Sequence, residues 1–332
     1  MQQQWQSLIS SLPSPLEQHQ VSPELGYVAC LTGFEYLAIT GADRHTFLQG
    51  QMSCDFTKIE GQLLLGANCN LKGRALATFY AMDDGETTYL ILPTGQALPL
   101  KAVLDKYALF SNAEITLPTQ PQLVVGLVGE PAVALCETKA LEENQAIVCN
   151  AGMVARISNT NLHICITSSA TVSTWLTALP NEALPTQQQT WDQQQLSAGI
   201  SHVTPESQEL FIPQELNYDL IGGISFNKGC YKGQEIIARL HYRGTYKQRA
   251  FRYECSSDHA PIAGTPLFSS NSKQPCGHVI QSVLIAPGKV ELLAVNKIKV
   301  QESEPVHLDQ KDGPILQSLS LPYAITNTEE AE

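Results

Sequence analysis

Residues 228–235 read Lys228-Gly229-Cys230-Tyr231-Lys232-Gly233-Gln234-Glu235, a cysteine set between two lysines and two glycines. Glycine lets the backbone take positive φ or approach a ligand closely. Neighbouring cations favour thiolate over thiol. Behind the octet, Ile236-Ile237-Ala238-Arg239-Leu240 has helix-forming character, so Cys230 is expected in the loop that enters a helix. The competing reading is a buried cysteine between two turns, since free cysteine is among the most buried residue types. The flanking lysines weigh against it, because lysine is seldom buried without a partner.

Charge spreads outward from the octet unevenly. The chain carries a net charge of −12, yet seven of its 20 Lys and Arg residues fall within 228–252. They are Lys228, Lys232, Arg239, Arg243, Lys247, Arg249 and Arg252, and Glu235 is the only acid in that stretch. The overall charge opposes non-specific nucleic-acid binding, while a basic island predicts an anionic ligand or partner held locally. A chance cluster on a solvated face is the alternative. His241 beside the island is a candidate to tune the thiolate, although a lone histidine is more often a solvated surface residue.

The 332 residues suffice for two or three domains, and 43% apolar with 16% charged residues is a globular composition. No apolar run approaches a membrane span, and Met1-Gln2-Gln3-Gln4-Trp5 does not open a signal peptide. Nine widely spread cysteines without a Cys-x-x-Cys pair argue against a disulfide framework and against a zinc or iron–sulfur site within the chain. A reducing cytoplasm is the expected compartment.

Along the chain, strands are predicted at 36–40, 74–82, 87–92, 123–128, 145–149, 153–157 and 162–167. Helices are predicted at 44–51, 96–110, 131–143, near 170–178 and around 187–200. Asp83-Asp84-Gly85 reads as a hairpin turn. Strand pairs alternating with helices imply an α+β architecture, and no glycine fingerprint for a dinucleotide follows any strand. Past 246 the texture changes to short strands at 248–254, 276–285, 289–297 and near 304–308, the pattern of a small β-barrel or sandwich. The expected division is an α+β region of two lobes over 1–246, a β-barrel over 247–325 and a frayed acidic tail over 326–332.

Several motifs, taken in order, carry a family resemblance. They are Thr40-Gly41-Ala42-Asp43 with Phe47-Leu48-Gln49-Gly50-Gln51, Leu71-Lys72-Gly73-Arg74, Phe211-Ile212-Pro213-Gln214 and Gly222-Gly223-Ile224-Ser225-Phe226. The octet follows, with Ala238-Arg239 and Arg243-Gly244, and Leu321-Pro322-Tyr323 closes the series. The chain resembles the YgfZ family of folate-binding proteins, which is related to the glycine-cleavage aminomethyltransferase. The resemblance implies a multi-lobed ring of domains around a central tetrahydrofolate channel. It also implies support of iron–sulfur enzymes, including those that thiolate tRNA, without a stable cluster of the chain's own. Implied partners are folate and iron–sulfur client or assembly proteins, the effect on tRNA being indirect; no membrane is involved.

By the same resemblance, Trp191, eight residues before Gly199, and Phe34, where relatives usually have tryptophan, are the folate contacts. Phenylalanine keeps a ring face for stacking but lacks the indole donor. Cys230 is the candidate reactive thiol. Asn70 stands where close relatives tend to have an aspartate, and the position of Cys230 is usually an aspartate in the aminomethyltransferase. An amide cannot titrate, so aminomethyl transfer from glycine is not expected. The leading expectation is an accessory factor rather than an enzyme. The alternatives are a folate-dependent one-carbon transferase or demethylase, and direct tRNA binding through Arg239, Arg243, Lys247, Arg249 and Arg252.

Overall fold

A computed structural model describes residues 2–12, 16–19, 21–22, 24–118, 122–177, 179 and 183–325. The acidic tail expected at 326–332 lies outside the described residues. The chain divides into two discontinuous units. One is built from Met1–Leu48, Phe56–Leu64 and Phe79–Gln194, the other from Gln49–Asp55, Leu65–Thr78 and Gln195–Glu332.

The first unit centres on a six-stranded sheet. Its order is Ala183–Thr186, Gly26–Cys30, Leu123–Val128, Leu162–Thr167, Gly152–Arg156 and Ala146–Cys149. Only the first pair is parallel; the others in register are antiparallel. Every residue of Gly26–Cys30, Leu123–Val128 and Leu162–Thr167 is buried, so these strands are covered on both faces. That explains their nearly continuous apolar sequence, interrupted by the buried His163 and Thr167, where a half-exposed strand would alternate. One face packs on Trp5, Leu8, Val133, Val172, Trp175 and Leu176. The helix Gln188–Ser197 lays Trp191 over Gly126 on the other.

A second antiparallel sheet in this unit sets Phe34–Thr40 between Thr88–Pro93 and Glu114–Thr116, with residues 79–83 beyond Thr88–Pro93. The hairpin forms where Asp83-Asp84-Gly85 predicts it. Gly85 takes φ +98°, and the Asp84 carboxylate accepts the amides of Glu86 and Thr87.

The helix predicted over 131–143 requires correction. It is one turn, Glu130–Val133, followed by a tight turn Ala134–Cys136, and Glu137 leaves it in the left-handed region at φ 51°. Cys136 and Leu141 both sink into the core under the sheet, and Arg156 Nη1 donates to the Leu141 carbonyl. Burial of both residues on one sheet face overrides the local helical propensity.

The second unit carries the C-terminal sheet, ordered Val306–Leu308, Pro266–Ser269, Gly277–Ala286, Lys289–Lys297, Gln248–Ser256 and Gln317–Leu319. It is antiparallel, and bulges at Val279/Gln281 and Leu284/Ala286 sharpen its twist. The β-barrel expected after 246 is this curled half-barrel. Tyr253, Val279, Leu292 and Val306 fill one core. Ala250, Ile280, Val283, Leu293 and Val295 fill another, together with Cys69, Phe211, Tyr218, Tyr231 and Ile237. The octet and the helix behind it are thus bolted to the sheet by Tyr231 and Ile237. No helix among the described residues is long and apolar enough to cross a membrane.

Candidate functional site

The octet forms a loop entering the helix Gln234–Arg243, as its sequence predicts. Gly233 is the residue before that helix and holds φ 84°. A Cβ there would also sit 2.6 Å from the Asn70 carbonyl, so conformation and space both require glycine. Gly73, at φ +72°, packs against Ile236, bringing the Leu71-Lys72-Gly73-Arg74 motif onto the octet helix. The Lys232 amide donates to the Gly50 carbonyl at 3.2 Å, and the Gln234 amide to Tyr231 O at 3.2 Å. Three motifs distant in sequence therefore meet at one loop.

Within that frame Lys228 turns inward. Its ammonium donates to the carbonyls of Met52 (2.8 Å) and Cys54 (2.6 Å) and lies 5.0 Å from the Tyr231 ring centre. Burial lowers its pKa to about 8, against the pull of Cys54 and Asp55. A Cβ added at Gly229 would meet nothing within 4 Å, and Cys230 stands exposed beside it. Of the nine cysteines Cys149 is half-buried and seven others are buried; burial pushes Cys54 and Cys69 up to about 12. Buried thiols of that kind stay protonated and inert, whereas Cys230 is fully open to a partner and Cys149 is partly so. Glu235 is exposed in the first turn of its helix, where the dipole favours an acid. His241 stacks on Phe226 at 3.6 Å and 9° and meets the Tyr246 hydroxyl at 3.5 Å. Its ring is committed to that stack.

The basic island also needs correction, because three of its seven members are structural. Arg249 is 0% exposed and grips Asp219 through two bonds, of 2.6 and 2.9 Å. It also donates to the Gln214 carbonyl and lies 3.9 Å over the Tyr246 ring. Arg252 bonds Glu291 at 2.7 Å and Ser197 at 2.8 Å. With Lys228 turned inward, the exposed cations of the stretch are Arg239, Arg243 and Lys247. Arg239 and Arg243 share a surface groove of ≈ 550 Å³ with Glu235, Ala238 and Tyr242. The Arg249 and Arg252 partners come from far in sequence, so charge counting along the chain has no access to them.

The two aromatics lie in the first unit. Phe34 is 5% and Trp191 0% exposed. A methyl added at Gly126 would run into Cε3 and Cδ2 of Trp191, so one indole face is spent on bare backbone. The Trp191 N–H has no hydrogen-bond acceptor among the described residues. Gln188, one turn earlier on the same helix, accepts the Gly33 amide at 2.6 Å and thereby ties the turn before Phe34 to the Trp191 helix. Its amide nitrogen contacts both Asp192 carboxylate oxygens at 3.3–3.4 Å. Burial pushes the Asp192 carboxyl up to about 7, partly offset by Gln188. Sequence reasoning missed Gln188 and Asp192. They sit in a glutamine-rich tract that carries no charge pattern, and only the neighbouring Trp191 marked it.

Asn70 closes the hairpin that packs on the octet. Its side-chain oxygen accepts the amides of Lys72 (2.8 Å) and Arg74 (3.0 Å).

No family model matches the chain. It is 29% identical over 323 residues to the tRNA-modifying protein YgfZ of Escherichia coli O45:K1, covering 94% of this chain and 98% of that one. It is 31% identical over 237 residues to the tRNA-modifying protein YgfZ of Colwellia psychrerythraea, covering 68% and 70%. Among solved structures, the glycine cleavage system aminomethyltransferase T from Bartonella henselae superposes with a TM-score of 0.66. It shares 15% identity and covers 90% of this chain and 86% of its own, a likeness of fold.

Proposed function

The chain belongs to the YgfZ family of tRNA-modifying proteins, and on that premise we propose that it is a folate-binding accessory factor for tRNA modification. It acts by sustaining iron–sulfur enzymes through the exposed thiol of Cys230. The observation that carries the reading is the treatment of that thiol: Lys228, Tyr231 and Gly233 are built into the protein while Cys230, between them, is left open. A scaffold that fixes its neighbours and exposes one sulfur presents it to another molecule.

The residues of the first unit fit a reduced folate. The orphaned Trp191 N–H is a buried donor without an acceptor, which folded proteins rarely leave unmatched. The Asp192 carboxyl is an acceptor suited to the amino-pyrimidinone edge of a pterin. Trp191, Phe34 and Asp192 would hold the ligand. Because one face of Trp191 is covered by Gly126, its N–H edge is the group offered. Tetrahydrofolate would supply a carrier for one-carbon units. Around it, Gln188 positions the Asp192 carboxyl, and burial holds a proton there near neutral pH.

One observation bears on the alternative of one-carbon transfer. The Asn70 oxygen is occupied by two turn amides, and an amide has no proton to exchange with a folate nitrogen. Direct RNA docking falls to Arg239, Arg243 and Lys247 alone, which is few cations against a net charge of −12.

Isothermal titration with tetrahydrofolate is expected to give saturable heat at one site, reduced in Asp192→Ala. No heat in the wild-type protein defeats the ligand assignment. In a strain lacking its own family member, Cys230→Ala is expected to lose support of tRNA thiolation. Full complementation by that variant removes the thiol from the function.

A further inference from the structure

Three cysteines that sequence scatters across 30 positions meet on the face of the first unit's six-stranded sheet opposite Trp191. The register shows how. Cys165 lies opposite Val154, and Val154 opposite Ile147, across three strands. Cys149 is two residues from Ile147 and so shares the face of Cys165. Over that face the tight turn Ala134–Cys136 lowers Cys136, whose sulfur is in side-chain hydrogen-bond contact with both Cys165 and Cys149.

The trio is graded from inside to outside. Cys136 and Cys165 are buried, while Cys149 is half-buried at the end of the edge strand, between the exposed Val148 and Asn150. Burial raises the Cys149 pKa above the ordinary thiol value, and the backbone amides of Ala151 and Gly152, which reach its sulfur, offset only part of that rise. Cys136, bonded to two thiols that can each donate to it, is held below the ordinary thiol value against the cost of burial. No grouping of His, Cys, Asp or Glu among the described residues is arranged to hold a metal ion. The chemistry available to the trio is thiol oxidation.

We propose that Cys149 and Cys136 form a peroxide-oxidisable dithiol, with Cys149 the point of entry and Cys136 the resolving thiol. The Cys149 sulfur attacks one oxygen of hydrogen peroxide as its thiol proton is lost; the O–O bond breaks, the hydroxide that leaves takes up that proton to become water, and Cys149 becomes a sulfenic acid. The Cys136 sulfur then attacks the Cys149 sulfur; the S–O bond breaks, a second water leaves, and a disulfide closes. Two thiols lose two electrons and two protons, and the peroxide becomes two waters. The bond staples the 134–136 turn to the edge strand, and Cys165 stands in contact with it for thiol–disulfide exchange. None of this depends on folate or on Cys230.

The test is limited oxidation of the full chain with hydrogen peroxide, followed by non-reducing peptide mapping. A Cys136–Cys149 linkage is expected in the wild-type protein and in Cys230→Ser. In Cys136→Ser the linkage disappears and a dimedone-reactive sulfenic acid persists at Cys149. In Cys149→Ser, loss of the Cys136 thiol slows by about tenfold or more, because the remaining sulfurs are shielded. Wild-type maps showing oxidation at Cys230 alone, a Cys136–Cys165 bond in place of the proposed one, or over-oxidised Cys149 without a linkage overturn the proposal. Those maps need no variant, so a substitution that fails to fold does not shelter it.

Discussion

At position 126 a hydrogen stands where another residue would carry a methyl, and the indole of Trp191 fills that space. Gly126→Ala is therefore expected to destabilise the first unit by about 1–3 kcal/mol, the usual penalty for overpacking. A lowered urea midpoint measures it, and an unchanged midpoint shows that the ring can step aside. Arg249 poses the opposite problem, a charge 0% exposed whose worth lies in being paired. Arg249→Met strands the Asp219 carboxylate and is expected to cost about 3–5 kcal/mol. The double variant Arg249→Met/Asp219→Leu should recover much of that loss in the same denaturation experiment. Such a recovery separates a structural arginine from a ligand-binding one. Neither environment is visible to local reading, since the indole is 65 residues from Gly126 and Asp219 is 30 from Arg249.

Two helices carry most of the candidate residues, one in each unit, and each was legible to a different degree. The helix Gln234–Arg243 follows from its apolar run and from the glycine before it. Its exposed face, with Arg239, Arg243 and nearby Lys247, holds the exposed cations of the stretch. On the alternative of direct tRNA docking, replacing these three by glutamine is expected to remove retention at low salt and to reduce the salt slope by roughly one unit per lost phosphate contact. Retention unchanged by the triple variant shows that another surface binds. The helix Gln188–Ser197 meets the expectation of a helix around 187–200, but the weight of Asp192 was not legible, because its carboxyl is shifted by burial. With a folded-state pKa of about 7, above the ordinary carboxylate value, the native state binds the extra proton. That contribution to stability is present in acid and fades as pH rises from about 4 to about 7. Asp192→Asn should flatten this part of the profile, so that its gain over wild type is larger at about pH 8 than at about pH 5 in matched urea titrations. Equal differences at both values dismiss the shift. The helix expected over 131–143 failed at this same scale, since its propensity was helical and the burial of Cys136 and Leu141 was not.

For the whole molecule, a ligand that binds the folded state alone raises stability by mass action. At tetrahydrofolate concentrations near 100 times Kd, about 2.7 kcal/mol is expected, read as a rise in Tm. A flat melting temperature at saturating ligand contradicts binding to the native state. The sequence by itself determined the strands from their β-branched runs, the turns from glycine and aspartate, and the half-barrel from its short, evenly spaced strands. It also determined the octet as a loop entering a helix, because the backbone geometry of Gly233 is a local consequence of residue type. What only the tertiary structure decided is which charges and thiols have partners. Arg249 and Arg252 left the basic island because Asp219 and Glu291 came to meet them. Three dispersed cysteines became neighbours because strand register put two on one face and a turn laid the third across them. Local propensity acts over a few residues, whereas burial and pairing energies are set by contacts that chain position does not encode.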